Sequence, residues 1–233
     1  AIGILNENVV TPEQVIFDPG RITILEKFTP NDPGTPRDYV CYLYKSTGAG
    51  HGDVDFIRGV AESCDVYFYK VGGGYAGEVP QGLGIWRIGE YSKALGYGAL
   101  TGIELPGEAD GLIPDPTWKR IFIGETWSTG DTYIATIGQG YVLATAIQVL
   151  VSFATLANDG IYMKPTLIKE ILDSEGNVIK PFTPVQVRDI TKDKVIHLYD
   201  ENFLQTDEMI SVQPWVIQKA KEDKGKKDES TGK

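Results

Sequence analysis

The sequence lacks an apolar segment long enough to cross a membrane. Its longest apolar run, YVLATAIQVLVSFATLA, covers residues 141–157 and contains the polar residues Gln148 and Ser152. A transmembrane helix needs about 18 or more consecutive apolar residues. This run ends earlier, at the Asn-Asp-Gly turn signal of residues 158–160. We therefore predict a buried helix here.

The first residues do not resemble a targeting signal. A signal would place a positively charged segment before a short apolar stretch, and residues 1–14, AIGILNENVVTPEQ, have no such order. They open on an apolar run without a helix-capping residue. We therefore expect the chain to be a segment cut from inside a longer protein.

Basic residues are scarce relative to acidic ones. The chain has 22 lysines and arginines against 32 aspartates and glutamates, a formal net charge of −10. The acidic excess is spread along the sequence, whereas a protein that binds the phosphate backbone needs positive charge. We therefore expect no nucleic-acid partner.

Length and composition allow one large domain or two small ones, since the chain has 233 residues, of which 42% are hydrophobic. The sequences DPG at 18–20 and NDPG at 31–34 predict turns and short strands over residues 18–52. Residues 174–177 have β-branched and apolar residues on both sides, which predicts a β-hairpin. Periodic apolar residues predict helices over 55–71, 83–95 and 144–158.

The last residues differ in composition from the rest. Residues 219–233, KAKEDKGKKDESTGK, are dominated by lysines and acidic residues. A segment with so little apolar surface cannot offset the entropy of folding. We therefore predict a structured region over residues 1–218 and a disordered tail over 219–233.

The triplet Ser63-Cys64-Asp65 interrupts the helical pattern of residues 55–71. The side chain of Ser63 or Asp65 can accept a hydrogen bond from an early helical amide and so cap a second short helix. On the residue pattern alone, capping is the favoured interpretation. The rest of the chain favours a functional one.

Three long stretches carry a family resemblance. SCDVYFYKVG, LGYGALTGIELPGEADGLIPDPTWKR and TWSTGDTYIATIGQGYVLATAIQVLVSFATLANDGIYMKPTLIK occur in this order. Together they resemble the transpeptidase domain of the class B penicillin-binding proteins, and within them the penicillin-binding protein 2 branch of the elongation machinery. The resemblance implies the α+β fold of penicillin-binding transpeptidases and serine β-lactamases, here mainly its helical part with a hairpin and an incomplete central sheet. Residues 1–218 would then be a partial transpeptidase domain.

The activity implied by this resemblance is that of a peptidoglycan D,D-transpeptidase, a serine acyltransferase that cross-links stem peptides and is acylated by β-lactams. Such enzymes carry S-x-x-K, with the nucleophile and its lysine, then S-x-N or S-x-D, then K-S-G or K-T-G on a strand beside the cleft. Ser63-Cys64-Asp65 matches the second motif in its acidic form. By the resemblance, Ser63 relays a proton and Asp65 orients the substrate or the lysines.

The first and third motifs are missing from their expected places. One S-x-x-K, Ser230 to Lys233, lies in the charged tail, and we interpret it as a coincidence; K-S-G and K-T-G do not occur. We therefore expect the nucleophile to lie upstream of this chain and the chain alone to be inactive. A non-catalytic interaction module and a β-lactam sensor domain of the same fold are the alternatives.

The resemblance also implies a location and partners. The parent protein would face the periplasm or the outer cell surface, anchored to the membrane through a segment absent from this chain. Its partners would be peptidoglycan stem peptides, β-lactams and membrane proteins of the elongation complex. Catalysis would need no cofactor.

The chain has only two cysteines, Cys41 and Cys64. Outside the cytoplasm they can form a disulfide, or they can remain inert buried thiols. They can also bind zinc, with His51 and Asp18 as the other ligands of a tetrahedral site. Their spacing matches no common zinc finger, so the residues alone leave all three alternatives open.

The family resemblance adds weight to zinc. Some relatives in the penicillin-binding protein 2 branch carry a zinc ion near the second motif. There it is held by an aspartate in a D-P-G turn, the histidine of a G-H-G and the middle residue of the triplet. Asp18, His51 and Cys64 fall on these positions, and Cys41 would complete a closed, structural site.

Overall fold

A computed structural model describes residues 1–192, which form short helices and short antiparallel strands. The helices are α1 (Ile2–Asn6), α2 (Tyr42–Thr47), α3 (Phe56–Ala61), α4 (Asp65–Gly73), α5 (Ile85–Ala94), α6 (Pro116–Trp118), followed by a π-helical turn (Lys119–Ile123), α7 (Thr129–Thr136) and α8 (Ala146–Ala157). The strands are β1 (Ile16–Asp18), β2 (Arg21–Glu26), β3 (Thr35–Val40), β4 (Gly52–Val54), β5 (Ile161–Met163), β6 (Glu170–Leu172), β7 (Val178–Pro181) and β8 (Gln186–Asp189). The predicted tail at 219–233 and the boundary at residue 218 lie outside the described residues.

The strands of the described part pair two by two, as β1–β4, β2–β3, β5–β8 and β6–β7, all antiparallel. The pair β6–β7 is the hairpin predicted around residues 174–177. Asp173 closes its turn, because its Oδ1 accepts the backbone N–H groups of Glu175 and Asn177 at 2.9 and 2.8 Å. Helices combined with small sheets confirm the predicted α+β class with an incomplete central sheet.

Helix α2 lies where the sequence predicts only turns and short strands. The strands are present as β2 and β3, but Tyr42–Thr47 forms a short helix that ends at Gly48. Gly48 has the left-handed backbone of a helix C-cap, with φ at 75°. Gly48 correctly indicates a turn in the sequence. Helix α2 was not predicted because a helix of this length is too short to show apolar periodicity.

The helical pattern over 55–71, which allows one helix or two short ones, forms two short helices, α3 and α4, with Ser63 between them. Ser63 has a left-handed backbone, with φ at 51°, which few residues other than glycine adopt. The N-cap of α4 is Cys64, whose Sγ accepts the N–H of Tyr67 at 3.4 Å. The prediction that Ser63 or Asp65 caps the second helix is therefore wrong. Cys64 has the extended backbone of a cap, whereas Asp65 is already the first helical residue.

Helices α5 and α8 confirm the helices predicted over 83–95 and 144–158, but most apolar residues of α8 are exposed, and Val151, at 5% exposure, is the buried exception within this helix. Leu150 and Phe153 are 63% and 66% exposed, whereas Gln148 and Thr155 are 0% and 1% exposed. The packed face of α8 thus consists of Gln148, Ser152 and Thr155 together with Val151. Within residues 1–192, the helices lack the length and apolar character of a membrane span.

Hydrogen bonds explain why α8 packs through polar side chains. Gln148 Nε2 donates to the carbonyls of Ala99 and Asp110 at 2.8 and 2.7 Å, and Gln148 Oε1 accepts the N–H of Thr145 at 3.0 Å. A buried amide is costly unless its donors and acceptor are paired, and here they are. In the described part of the chain, the apolar face of α8 therefore points outwards.

The hydrophobic core surrounds α4. Val66, Tyr67 and Val71 of this helix are 0% exposed and belong to one cluster with buried residues of β1 and β4. Helix α7 crosses α4 closely: a Cβ on Gly72 would lie 2.0 Å from Cγ2 of Thr136, so only glycine fits there. The crossing with α7 thus holds the C-terminal end of α4, and the burial of Val66 and Tyr67 holds the N-terminal end, where the Ser-Cys-Asp triplet lies.

Candidate functional site

The structure brings the four candidate metal ligands together. Asp18 ends β1, Cys41 follows β3, His51 precedes β4, and Cys64 caps α4. Their ligand atoms all lie within 4.8 Å of one another, and all four residues are buried. Four separate elements thus converge on one point in the core.

The cluster is compact enough to close around a small ion. Asp18 Oδ2 lies 2.8 Å from His51 Nδ1 and 3.2 Å from Cys64 Sγ, and Cys41 Sγ lies 3.5 Å from His51 Nδ1. Zinc bonds of about 2.0–2.3 Å place neighbouring ligand atoms of a tetrahedron about 3.3–3.8 Å apart. The Cys41–His51 distance is of this size, whereas Asp18 and His51 lie at hydrogen-bond distance and would move slightly apart around an ion. Two thiols, an imidazole and a carboxylate are also a donor set that zinc accepts. The residues present therefore fit a tetrahedral zinc ion.

Two glycines explain why the D-P-G turn and the G-H-G sequence meet. A Cβ on Gly50 would lie 2.2 Å from both the carbonyl oxygen of Asp18 and the backbone nitrogen of Gly20. Gly20 itself has φ at 87°, and its N–H donates to Asp18 Oδ1 at 2.6 Å. The backbone N–H of His51 donates to Asp18 Oδ2 at 3.0 Å. The glycines therefore permit the backbone contact that brings Asp18 to His51.

Glu62 lies behind His51 and was not among the residues singled out from sequence. Its Oε2 is 3.9 Å from His51 Nε2, and its Oε1 accepts a hydrogen bond from Arg58 Nε at 2.9 Å. Glu62 Oε2 is buried and has no hydrogen-bond partner among the described residues. A histidine that binds metal through one nitrogen commonly directs the other N–H towards a carboxylate. A glutamate next to the triplet is the only sequence signal for this arrangement.

Burial sets the protonation of the cluster. It raises the pKa of the Cys41 thiol and, more strongly, that of the Cys64 thiol, so both are neutral at neutral pH in the chain without metal. Burial would also raise the pKa of Asp18, but hydrogen bonds from His51, Gly20 and Cys64 together lower it. Both cysteines are free thiols in the structure. Because thiolates are the metal-binding form, metal binding must release protons from the cysteines.

The two candidate catalytic residues occupy different environments. Ser63 is exposed and lies immediately before Cys64, so its side chain is not sealed in the interior. Asp65 is half-buried, and its Oδ2 accepts the backbone N–H of Tyr42 at 2.8 Å. The triplet therefore presents Ser63 to the surface, directs Cys64 into the metal cluster and ties α4 to α2 through Asp65.

Comparisons with curated proteins place this geometry in a known family. The sequence profile described as penicillin binding protein transpeptidase domain matches residues 3–197. The chain is 37% identical over 196 residues to the peptidoglycan D,D-transpeptidase MrdA of Haemophilus influenzae, covering 84% of this chain and 27% of that protein. It is 32% identical over 186 residues to MrdA of Escherichia coli K12, covering 79% of this chain and 26% of that protein. The chain thus spans about a quarter of the length of these relatives.

Solved structures agree. The structure of Pseudomonas aeruginosa PBP2 in complex with WCK 5153 has 31% sequence identity and a TM-score of 0.62, covering 81% of this chain and 37% of that one. Helicobacter pylori PBP2, in a complex with MreC, has 27% identity and a TM-score of 0.59, covering 78% and 29%. These likenesses confirm the predicted fold. With the family profile matched over residues 3–197, the chain belongs to the penicillin-binding protein transpeptidase domain family.

Proposed function

We propose that the chain is part of a peptidoglycan D,D-transpeptidase that cross-links the stem peptides of the cell wall. The observation that supports this best is the second motif, because Ser63 lies at the surface beside a well-packed helix in a chain of the transpeptidase family. In the parent reaction, a serine attacks the penultimate D-alanine carbonyl of one stem peptide and the terminal D-alanine leaves. An amine of a second stem peptide then takes the acyl group and frees the serine.

Each motif residue has a role in this proposal. Ser63 relays a proton between the lysines of the first and third motifs, which requires a hydroxyl that other groups can reach. Asp65 orients the substrate or those lysines with the carboxylate oxygen that Tyr42 does not bind. The nucleophile and its lysine lie outside these residues, because the S-x-x-K of this sequence occurs in the charged tail.

A labelled penicillin tests the proposal. The 233-residue chain alone is expected to form no covalent adduct, whereas the longer protein that contains it is labelled at a serine outside this chain. In that longer protein, Ser63→Ala should slow acylation by roughly 10²–10⁴-fold, the usual contribution of a general acid–base group. Ser46→Ala, at an exposed serine of α2, is the matched control and should leave the rate unchanged.

Three results would contradict this assignment. Stoichiometric labelling of the chain alone would show that it holds its own nucleophile. A wild-type acylation rate for Ser63→Ala would remove the proton-relay role. A longer protein that is never labelled would favour the non-catalytic interaction module.

We also propose that Asp18, Cys41, His51 and Cys64 hold a structural zinc ion. Support comes from the convergence of two thiols, an imidazole and a carboxylate on one buried point. The ion would supply a cross-link between residues 18–52 and the start of α4. Because protein atoms fill all four positions, the site is of the structural type and takes no part in proton transfer. Cys64 directly follows Ser63, so this cross-link also holds the serine.

We propose that the parent protein works on the periplasmic or extracytoplasmic face of a membrane, anchored by a segment outside these residues. The related PBP2 of Helicobacter pylori has been solved in a complex with MreC, which supports membrane proteins of the elongation complex as partners. Stem peptides and β-lactams are the small-molecule partners that the family supports. Labelling of intact cells with penicillin checks the location, and co-purification with elongation-complex proteins checks the partners.

A further inference from the structure

Lys70 is a buried cation on the core-facing side of α4. Its side chain is 2% exposed, and its Nζ lies 2.5 Å from Glu78 Oε1 and 2.9 Å from the carbonyl oxygen of Phe17, to which it donates. Nζ also lies 4.4 Å from the centre of the Tyr75 ring. A buried ammonium group is tolerated only when it is paired in this way.

Glu78 also binds the backbone of Phe17 in β1, the residue whose carbonyl accepts from Lys70. Its second carboxylate oxygen, Oε2, accepts the backbone N–H of Phe17 at 3.3 Å. Both backbone polar groups of Phe17 are therefore bound by side chains, the N–H by Glu78 and the carbonyl by Lys70. The two side chains occupy the edge of β1 that β4 does not pair, where a neighbouring strand would otherwise bind.

These contacts of Lys70 and Glu78 with Phe17 link two of the metal ligands, Asp18 and Cys64. Phe17 immediately precedes Asp18, and Lys70 lies on the helix that Cys64 caps. Helix α4 therefore carries one ligand at its start and, further along, holds the strand that carries another. The contacts of Lys70 and Glu78 with Phe17 hold β1 against α4. In this arrangement Asp18 Oδ2 lies 3.2 Å from Cys64 Sγ.

We propose that Lys70 and Glu78 are positioning residues for the metal site, which set the placement of Asp18 relative to Cys64. This inference rests on the proposed zinc site. A buried ion pair contributes little net stability compared with apolar residues of the same size, but it imposes a defined geometry. Groups that hydrogen-bond directly to metal ligands typically change metal affinity by about 10–100-fold when they are mutated. We expect an effect of this order from Lys70 and Glu78, which hold Asp18 through the backbone of the preceding Phe17.

The test measures zinc affinity by competition with a chromophoric chelator, and site geometry by the absorption spectrum of the Co²⁺-substituted protein. Lys70→Met and Glu78→Ala, each in the full chain, should weaken zinc binding by about 10–100-fold. Both should also shift the Co²⁺ absorption bands, which report the ligand geometry and not the overall stability. Glu78 is 35% exposed in its side chain, so Glu78→Ala decides the outcome if Lys70→Met does not fold.

Lys119→Met is the matched control. Lys119 is a second buried lysine, with its Nζ 2.8 Å from Asp131 and 3.3 Å from Glu125 and its side chain 6% exposed. Its loss should lower the melting temperature like that of Lys70 but leave zinc affinity and the Co²⁺ spectrum unchanged. If Lys119→Met changed zinc affinity and the Co²⁺ spectrum as much as Lys70→Met does, the positioning role would be overturned.

The two proposals fail in different ways. Wild-type protein that binds zinc, with Lys70→Met and Glu78→Ala binding it equally well and giving the wild-type spectrum, overturns the positioning role alone. Wild-type protein that binds neither zinc nor Co²⁺ overturns the metal site, and the positioning role with it.

Discussion

The carboxylate of Asp18 lies 2.8 Å from the imidazole of His51, although 33 residues separate them in the chain. The contact is built from two glycine-dependent features, the D-P-G turn at 18–20 and the close approach of Gly50 to that turn. Residues 21–49 form β2, β3 and α2 between these two points. The segment between Asp18 and His51 is therefore a folded loop whose two ends meet at the metal cluster.

Zinc content gives the first prediction. Elemental analysis of the purified chain should find about one zinc ion per chain, and removal with a chelator should lower the melting temperature because metal binding to a closed site adds to folding free energy. Asp18→Asn should abolish stoichiometric zinc. Asp32→Asn is the control, because Asp32 opens a second D-P-G turn, with its Oδ1 accepting the N–H of Gly34 at 2.9 Å, outside the cluster. A folded, metal-free wild-type chain would contradict the zinc proposal.

Helix α8 gives a prediction with an unusual sign. Gln148→Leu makes the helix more apolar, yet it should destabilise the fold by about 1–3 kcal/mol because it leaves the carbonyls of Ala99 and Asp110 unpaired. Leu150→Gln removes an apolar side chain that is 63% exposed and should change stability by only about 0.5 kcal/mol. Denaturant unfolding of both variants measures the difference. The reverse order would show that α8 packs through its apolar face.

The crossing of α4 and α7 gives a third prediction. Gly72→Ala should cost about 1–3 kcal/mol of unfolding free energy, because the added Cβ would lie 2.0 Å from Thr136 Cγ2. Gly89→Ala, within α5, is the control. The nearest atom to its added Cβ would be Cγ2 of Ile113 at 3.8 Å, so the added methyl group fits. Gly89→Ala should stabilise the fold by about 0.5–1 kcal/mol, because glycine inside a helix is less favourable than alanine by this amount. Equal effects of the two substitutions on the melting temperature would contradict the close crossing.

The turn after β8 gives a prediction for pH. Hydrogen bonds from Lys192 and then Thr191 lower the pKa of Asp189 to about 2 from an ordinary value of 3.8. The pKa of Asp189 is lower in the folded state than in the unfolded state. The ionised carboxylate therefore stabilises the fold above about pH 3.8, and this stabilisation is lost as the pH falls towards 2. NMR titration of the Asp189 carboxyl group should give the low value, and Asp189→Asn should remove this part of the acid dependence. A midpoint near 3.8 would contradict it.

Local features were predictable because their causes are local. The Asp-Ser-Glu-Gly-Asn sequence at 173–177 closes a hairpin through the side chain of Asp173. The helices at 83–95 and 144–158 were predicted from apolar periodicity. In the structure, a capping box between Thr145 and Gln148 begins α8. Helix α2 escaped detection because it is too short to show a period.

The candidate site was predictable only in part. Asp18, Cys41, His51 and Cys64 were identified by ligand type and by family resemblance, and the structure brings all four together. Glu62, Lys70 and Glu78 were not, since the one sequence signal among them is the position of Glu62 next to the triplet, and the sequence around Lys70 and Glu78 does not distinguish them from ordinary charged residues. Their roles arise from contacts with residues far away in the chain, such as the 53-residue separation between Phe17 and Lys70.

The sequence by itself determined the turns, four of the eight α-helices in the described residues (α3, α4, α5 and α8) and the identity of the motif residues, because these depend on backbone preferences and on side chains within a few positions of each other. Only the tertiary structure decided that Cys64 rather than Ser63 or Asp65 caps α4, and that α8 buries its polar face. The physical reason is that capping and burial depend on which distant groups compete for each hydrogen bond. That competition is settled when β1, α2 and the residues around Ala99 and Asp110 pack against these helices.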